Sequence, residues 1–443
     1  MDVYVYTRNV DLSFIHVRPG DCVVIKPNLI KEHKENDENE WRSVITSPDL
    51  IRDVCDYVCQ RLDRSGRVIL CDAPQTDSSF EKIAARLGLH EIARACSEAY
   101  KIEVQVLDLR NEEWTNEGGV IVNRRKLAGD PNGTIAFDLG RRSLFYNHRG
   151  EGRYYGADVD TQEVNRFHCK EKHEYLICAT PVLADLFINM PKLKTHKKTG
   201  VTLSLKNLVG INADKNRLPH HTDGSPGTGG DQFPEKTLGS ASELMLARGY
   251  RKMLCAFPWL GRSVGKAARK VGLKIFGNGE AVIRNGNWYG NDTAWRMVLD
   301  LNRCLLYGNP DGTFRDHSPK RNYSVIDGTI GMEGSGPMQG DPVRSNVVIG
   351  GSDPAAVDMV AARVMGFDWR KIPVIHEAFA PGPMPISSAL PSEVTVISDV
   401  EAWNGPYLEV EKREFLRFKP HFGWAGRIEY NAPTTSAVHG EEC

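Results

Sequence analysis

The sequence contains no apolar run of about 18 residues, so no membrane-spanning helix is expected. The first residues, MDVYVYTRNVDLSF, carry an acid at position 2 and lack an apolar stretch of signal-peptide length. A cytoplasmic location is the expectation. Ten cysteines are scattered along the 443 residues, and none forms a Cys-x-x-Cys pair. Zinc-type spacing is therefore missing, and the cysteines read as small buried hydrophobes in a reducing compartment. The phosphate-loop pattern Gly-x-x-x-x-Gly-Lys-Ser/Thr, the dinucleotide fingerprint and His-Glu-x-x-His are also missing. Net charge is scarce as well. The formal value of −1 excludes a nucleic-acid binder held by bulk charge, so any positive site must be local.

What is present is ordinary globular material, 41% apolar and 26% charged. Short β-branched runs end in a polar or proline signal: Cys22–Ile25 before Lys26-Pro27-Asn28, Arg67–Cys71 before Asp72, Val104–Leu107 before Asp108, Leu186–Ile188 before Asn189-Met190-Pro191, and Tyr323–Ile326 before Asp327-Gly328. Such runs suit buried strands of a parallel sheet. Helical patterns fall between them. Ser47-Pro48-Asp49 opens one with Leu50, Ile51, Val54, Val58 and Leu62 on a stripe, and Ser78–Leu87 is a second. Trp295–Leu305 is a third, and Asp353-Pro354 caps a fourth that stops at Gly366. Strand–helix alternation predicts an α/β fold, two-lobed, with largely parallel sheets, flanking helices and a cleft between lobes at 1–190 and 191–443. Residues 110–172 read as an irregular insertion with hairpins, and 213–245 as a long loop. Arg251–Lys274 holds seven bases and no acid, a candidate for peripheral contact with an anionic membrane.

The densest chemistry lies in Pro191–Asn212. Lys192, Lys194, His196, Lys197, Lys198 and Lys206 crowd one stretch without a carboxylate. They must repel one another unless an anion or nearby acids compensate. The run follows a strand end, where open α/β sheets bind ligands. Lys192, Lys194 and Lys198, with Thr202 and Asn207, are therefore expected to grip a phosphate or carboxylate. Lys206 is flanked by Leu203, Leu205, Leu208 and Val209, so its stem should be buried and its amine reactive. His196, beside lysines, should be a neutral base. Pro27-Asn28-Leu29-Ile30-Lys31 weakly echoes Pro191-Lys192-Leu193-Lys194, which adds Lys26 and Asn28 to the expected anion site. In Asp327–Asp341, Gly334 and Gly336 offer backbone N–H groups to an anion, and Asp327 and Glu333 offer acid–base catalysis. Asp72 and Asp327 are the expected ligands should a divalent metal bind. His220-His221-Thr222-Asp223 is a weaker metal patch, and Gly261–Gly265 spells Gly-x-Ser-x-Gly without the strand a nucleophile elbow requires.

Four of these segments in order resemble the family known as domain of unknown function 362: Ile25–Leu29; Pro191–His196 with Ser204–Gly210; Asp327-Gly328 with Glu333–Pro337; and Ser352–Asp358. Some members of that family carry a ferredoxin-type iron–sulfur domain. This chain lacks the Cys-x-x-Cys-x-x-Cys run, so no iron–sulfur cluster is expected. The stretch Asn287–Arg303 is similar to a branch associated with polysaccharide or secondary-metabolite gene sets, which implies a biosynthetic setting. More distantly, Leu186–Ile188, His196 and Ser204–Gly210 resemble the lactate-racemase-like family, in which a lysine anchors a nickel-pincer nucleotide. The Gly-Gly-Arg and later Pro of that family are absent here. The expectation is an enzyme acting on an anionic, phosphorylated or carboxylated, small metabolite, with homo-oligomerisation open and no nucleic-acid partner. The alternatives are a non-catalytic anion- or cofactor-binding protein serving a partner enzyme, and racemase- or epimerase-like chemistry on a 2-hydroxy acid or sugar acid.

Overall fold

The computed structural model describes residues 1–117, 120–158, 160–235, 283–317 and 319–431. Within them one sheet of twelve strands organises the chain. Its strands are β1 (Asp2–Tyr6), β2 (Cys22–Pro27), β3 (Arg67–Asp72), β4 (Glu103–Asp108), β5 (Leu186–Met190), β6 (Lys192–His196), β7 (Gly200–Thr202), β8 (Asn322–Glu333), β9 (Asp341–Val343), β10 (Val347–Gly351), β11 (Thr395–Ser398) and β12 (Gly405–Pro406). The spatial order is β12-β11-β1-β10-β8-β5-β2-β3-β4, with β6 and β9 also pairing β8, and β7 pairing β6. The run β8-β5-β2-β3-β4 is parallel throughout. An antiparallel flank starts where β10 pairs β8.

All five strand-like runs read from the sequence are strands of this parallel block. Their alternation explains the layering. Val23, Ile25, Val68, Leu70, Leu186 and Ile188 join one apolar cluster with helices α1 (Pro48–Arg61), α2 (Phe80–Leu87) and α3 (Leu89–Tyr100). Val24, Ile69, Cys71 and Phe187 face the opposite cluster, built with helices further along the chain. Successive strand residues point to opposite faces, so β2, β3 and β5 each feed two cores with apolar side chains on both faces. On that second face lie α4 (Ser204–Asn207), α5 (Ala294–Tyr307) and α6 (Pro354–Val364). Asp353 caps α6, accepting at 3.0 Å from the N–H groups of Ala355 and Ala356. Gly366 follows it at φ +88°, which a side chain would resist.

The fold class is therefore α/β, with helices on both faces of a large sheet. The boundary expected at 190/191 falls inside that sheet, between β5 and β6. Strands from both sides of it pair side by side, β5 with β8 and β1 with β10. The interruption at 110–172 does contain a hairpin, Glu112–Glu117 with Val120–Lys126. A further strand of it, Tyr154–Gly156, pairs Pro219–Thr222 of the second interruption. Arg251–Lys274 and Gly261–Gly265 lie outside the described residues. No helix among the described residues is long and apolar enough to cross a membrane.

Candidate functional site

The C-terminal ends of the parallel strands gather the site. β2 and β5 lie in register, Lys26 opposite Asn189 and Pro27 opposite Met190. The two segments that echo one another in sequence are thus adjacent strand ends. Two lysine–carboxylate pairs close this edge. The amine of Lys26 is 2.7 Å from Asp72 Oδ1, and that of Lys192 is 2.7 Å from Asp327 Oδ2. All four groups are almost fully buried. Each carboxylate is saturated by backbone as well. Asp72 accepts from the N–H groups of Leu29 at 2.8 Å and Ala73 at 2.9 Å. Asp327 accepts from Ser47 N at 2.7 Å, Thr329 N at 3.0 Å and the Thr329 hydroxyl at 2.6 Å. Burial raises the Asp327 carboxyl, but the Lys192 charge and these hydrogen bonds outweigh it and hold the group below the ordinary carboxylate range.

Asp72 and Asp327 were expected to ligate a metal, and Asp327 to move protons. The structure places each as the counter-charge of a buried lysine, with its oxygens already engaged. Gly210 shows how tightly one pair is enclosed. A Cβ there would meet Asp72 Oδ1 at 2.1 Å and Lys26 Nζ at 2.7 Å.

Behind the pairs stand cations with no carboxylate bonded to them among the described residues. The Lys194 amine, fully buried, donates to Val44 O at 2.8 Å and Asn28 Oδ1 at 3.4 Å. Burial, then the charges of Lys192 and Lys206, push it well below the usual lysine value. Lys206 is 8% exposed. Burial, then the Lys215 charge, bring its amine down to about 7. Half-buried Lys198 donates to Asn285 O and also falls to about 7, through burial and the neighbouring Lys197. Lys215 donates to Ala73 O at 3.0 Å. His196 and His220 are both pushed well below the ordinary imidazole value, by burial first and the Lys206 charge second. Lys206 thus acts electrostatically on Lys194, His196 and His220 alike.

His196 is held neutral by geometry too. Its Nδ1 lies 3.1 Å from Lys198 N and 3.3 Å from Thr199 N, both donors. That fixes Nδ1 as the acceptor and leaves the proton on Nε2.

The Lys206 turn is clamped from three elements. Asp358 on α6 accepts from Ser204 N at 2.7 Å and Leu205 N at 2.9 Å. Asn302 on α5 donates to Leu205 O at 3.0 Å. Asn189 on β5 donates to Ser204 O at 2.8 Å, and Asn207 donates back to Asn189 Oδ1 at 2.7 Å. Burial raises the Asp358 carboxyl to about 7. A four-residue helix is fixed in place by this clamp rather than by its own ladder.

The remaining expected residues divide. Thr202, on β7, is buried with its hydroxyl unpartnered among the described residues. Asn207 belongs to the clamp, and Asn28 receives Lys194. Gly336 packs so closely on β6 that a Cβ would lie 2.1 Å from Thr195 O, and its own carbonyl accepts from Lys197 N at 3.1 Å. Gly334 takes φ +72°, which glycine tolerates without strain, and its carbonyl accepts from the Thr195 hydroxyl of β6 at 2.9 Å. Both glycines thus brace the β6–β7 hairpin. Glu333 turns to the C-terminal segment, accepting from Lys419 N at 2.9 Å with the Lys419 amine at 3.4 Å. His220 and His221 point apart: His220 bonds Leu218 O, and His221 stacks on Tyr155 at 4.7 Å.

A family model described as domain of unknown function (DUF362) matches residues 23–131 and 142–363. The chain belongs to this family. The DUF362 span takes in both ion pairs, Lys194, His196, Lys206 and Asp358, and it ends within α6. A thylakoid-associated protein of Synechocystis sp. is 21% identical over 359 residues, which is 81% of this chain and 67% of that protein. No solved structure gives a significant match.

Sequence reasoning missed Asp358, Asn189, Asn302 and Lys215 as parts of this DUF362 site. Asn189 sits at a strand end beside Lys26, and that position alone could have drawn attention to it.

Proposed function

We propose that the protein is an enzyme acting on an anionic small metabolite, phosphorylated or carboxylated, at the strand ends around Lys206. The observation that carries this reading is the imbalance of charge. Lys26 and Lys192 have buried carboxylates, whereas Lys194 and Lys206 have none among the described residues. A buried amine without a counter-charge costs stability, and an incoming anion supplies that charge. Lys194, Lys198 and Lys215 are the anion grip beside it. Asp327 and Asp72 enter as counter-charges that position two lysines, and Glu333 does not enter.

Lys206 is the group that acts. An amine that titrates near 7 is neutral in about half the molecules at neutral pH, and can take a proton or attack an electrophilic carbon. His196, neutral with a proton on Nε2, serves as its acid–base partner. The Asp358, Asn302 and Asn189 clamp supplies the rigidity that such a group needs.

The test is a panel of phosphorylated and carboxylated metabolites. Binding is read as a rise in melting temperature, and turnover by mass spectrometry. At least one compound should bind and be converted. Lys206→Met should abolish turnover, and Lys194→Met should weaken binding by roughly 10-fold or more. Binding with no turnover of any compound would favour a non-catalytic anion carrier. No binding at all would remove the proposal.

A second reading concerns location. Seven bases without an acid in Arg251–Lys274, together with the thylakoid association of the Synechocystis relative, support peripheral contact with an anionic membrane. Failure to sediment with anionic vesicles at low salt would exclude it.

A further inference from the structure

Away from the strand ends, α1 and α3 bring three cysteines together. Cys55 and Cys59 lie one turn apart on α1, and Cys96 faces them from α3. All three are buried, at 0%, 1% and 4% exposure. Their sulfur atoms lie within 4.8 Å of one another. No other group of three potential ligands occurs among the described residues, and no His, Asp or Glu joins this one.

We propose that Cys55, Cys59 and Cys96 form a trithiolate site for a soft, thiophilic metal ion of the Cu(I) class. The geometry argues for it. Metal–sulfur bonds of about 2.3 Å place the sulfurs of a trigonal site roughly 4 Å apart. The three cysteines need little movement to reach that spacing. Three sulfurs without a fourth ligand suit three-coordinate Cu(I), whereas structural zinc takes four ligands. Binding breaks the S–H bonds, releases their protons to solvent and forms three sulfur–metal bonds. The ion is supplied as Cu(I), so nothing is oxidised or reduced. The result is a clamp between α1 and α3. Loose Cys-x-x-x-Cys spacing, with a third ligand 37 residues on from Cys59, hides such a site from sequence patterns.

The test uses the full chain, reduced and oxygen-free, titrated with Cu(I) held by a competing chelator. One ion per chain should bind in a saturable step, with a sulfur-to-copper charge-transfer band in the ultraviolet and a higher melting temperature. Cys55→Ala, Cys59→Ala and Cys96→Ala should each lose that step, and Cys71→Ala should keep it. X-ray absorption on the loaded wild-type chain covers the case in which a variant fails to fold, and three sulfurs should form the first shell. Absence of the step in the wild type, its survival in Cys96→Ala, a shell containing nitrogen or oxygen, or a disulfide joining two of the three in freshly prepared protein would each overturn the assignment.

Discussion

Lys192 and Lys206 are both buried lysines of the same segment, fourteen residues apart, and they differ in one respect. Lys192 has Asp327 at 2.7 Å, while Lys206 has no carboxylate bonded to it among the described residues. The first is a structural ion pair whose carboxylate also ties the start of α1 to β8 through Ser47 N. The second is a charge that the fold holds ready. Both arise from the same local sequence type, so burial alone does not separate scaffold from chemistry. The partner does.

The largest expected effect breaks the paired side. Asp327→Ala strands Lys192 in the core and leaves the Ser47 and Thr329 N–H groups unbonded. The loss should be about 3–5 kcal/mol, read from the shift in denaturant midpoint. The same change at the unpaired side should act with opposite sign. Lys206 has its amine lowered to about 7 in the folded chain, against the ordinary lysine value when unfolded. Below pH 7 both states carry the proton, and the folded state bears the full cost of a buried charge. As pH rises above 7 the folded amine deprotonates while the unfolded one does not, so stability rises with pH until the unfolded value is reached. Lys206→Met should therefore stabilise the protein by about 3 kcal/mol at pH 6, and the gain should shrink toward pH 10. A destabilised Lys206→Met variant would show that the lysine is compensated after all. Gain of stability with loss of activity is the expected signature of a functional residue.

Gly210→Ala perturbs the paired side more gently. The added methyl would sit 2.1 Å from Asp72 Oδ1 and 2.7 Å from Lys26 Nζ, so the pair must shift. A cost of about 1–3 kcal/mol is expected, with anion binding reduced far less than by Lys206→Met.

Much of this was legible in the sequence. Five strands of the parallel block could be read because apolar runs closed by Lys-Pro, Asp or Asn-Met-Pro admit few other folds. The Lys206 environment could be read because Leu203, Leu205, Leu208 and Val209 surround it. Pairing could not be read. Asp327 lies 135 positions from Lys192, and Asp358 lies 152 from Lys206, so only the sheet and α6 bring them together. Asp327 and Glu333 were equal acid–base candidates of one glycine-rich segment in the sequence. Six positions apart, they would share a face in a regular strand, but the register shift of β8 against β6 between Asp327 and Met332 separates their surroundings.

Glu333 therefore gives the smallest expected effect and the sharpest control. Its carboxylate meets the Lys419 backbone N–H and an amine that is 81% exposed. Solvent screens such a pair, and Glu333→Gln keeps an acceptor for the N–H. The change should cost under about 1 kcal/mol. It should leave anion affinity and turnover unaltered, measured side by side with Lys206→Met. A large loss of turnover in Glu333→Gln would restore this carboxylate as an acid–base group and move the reacting centre from Lys206 toward the glycine-rich turn after β8.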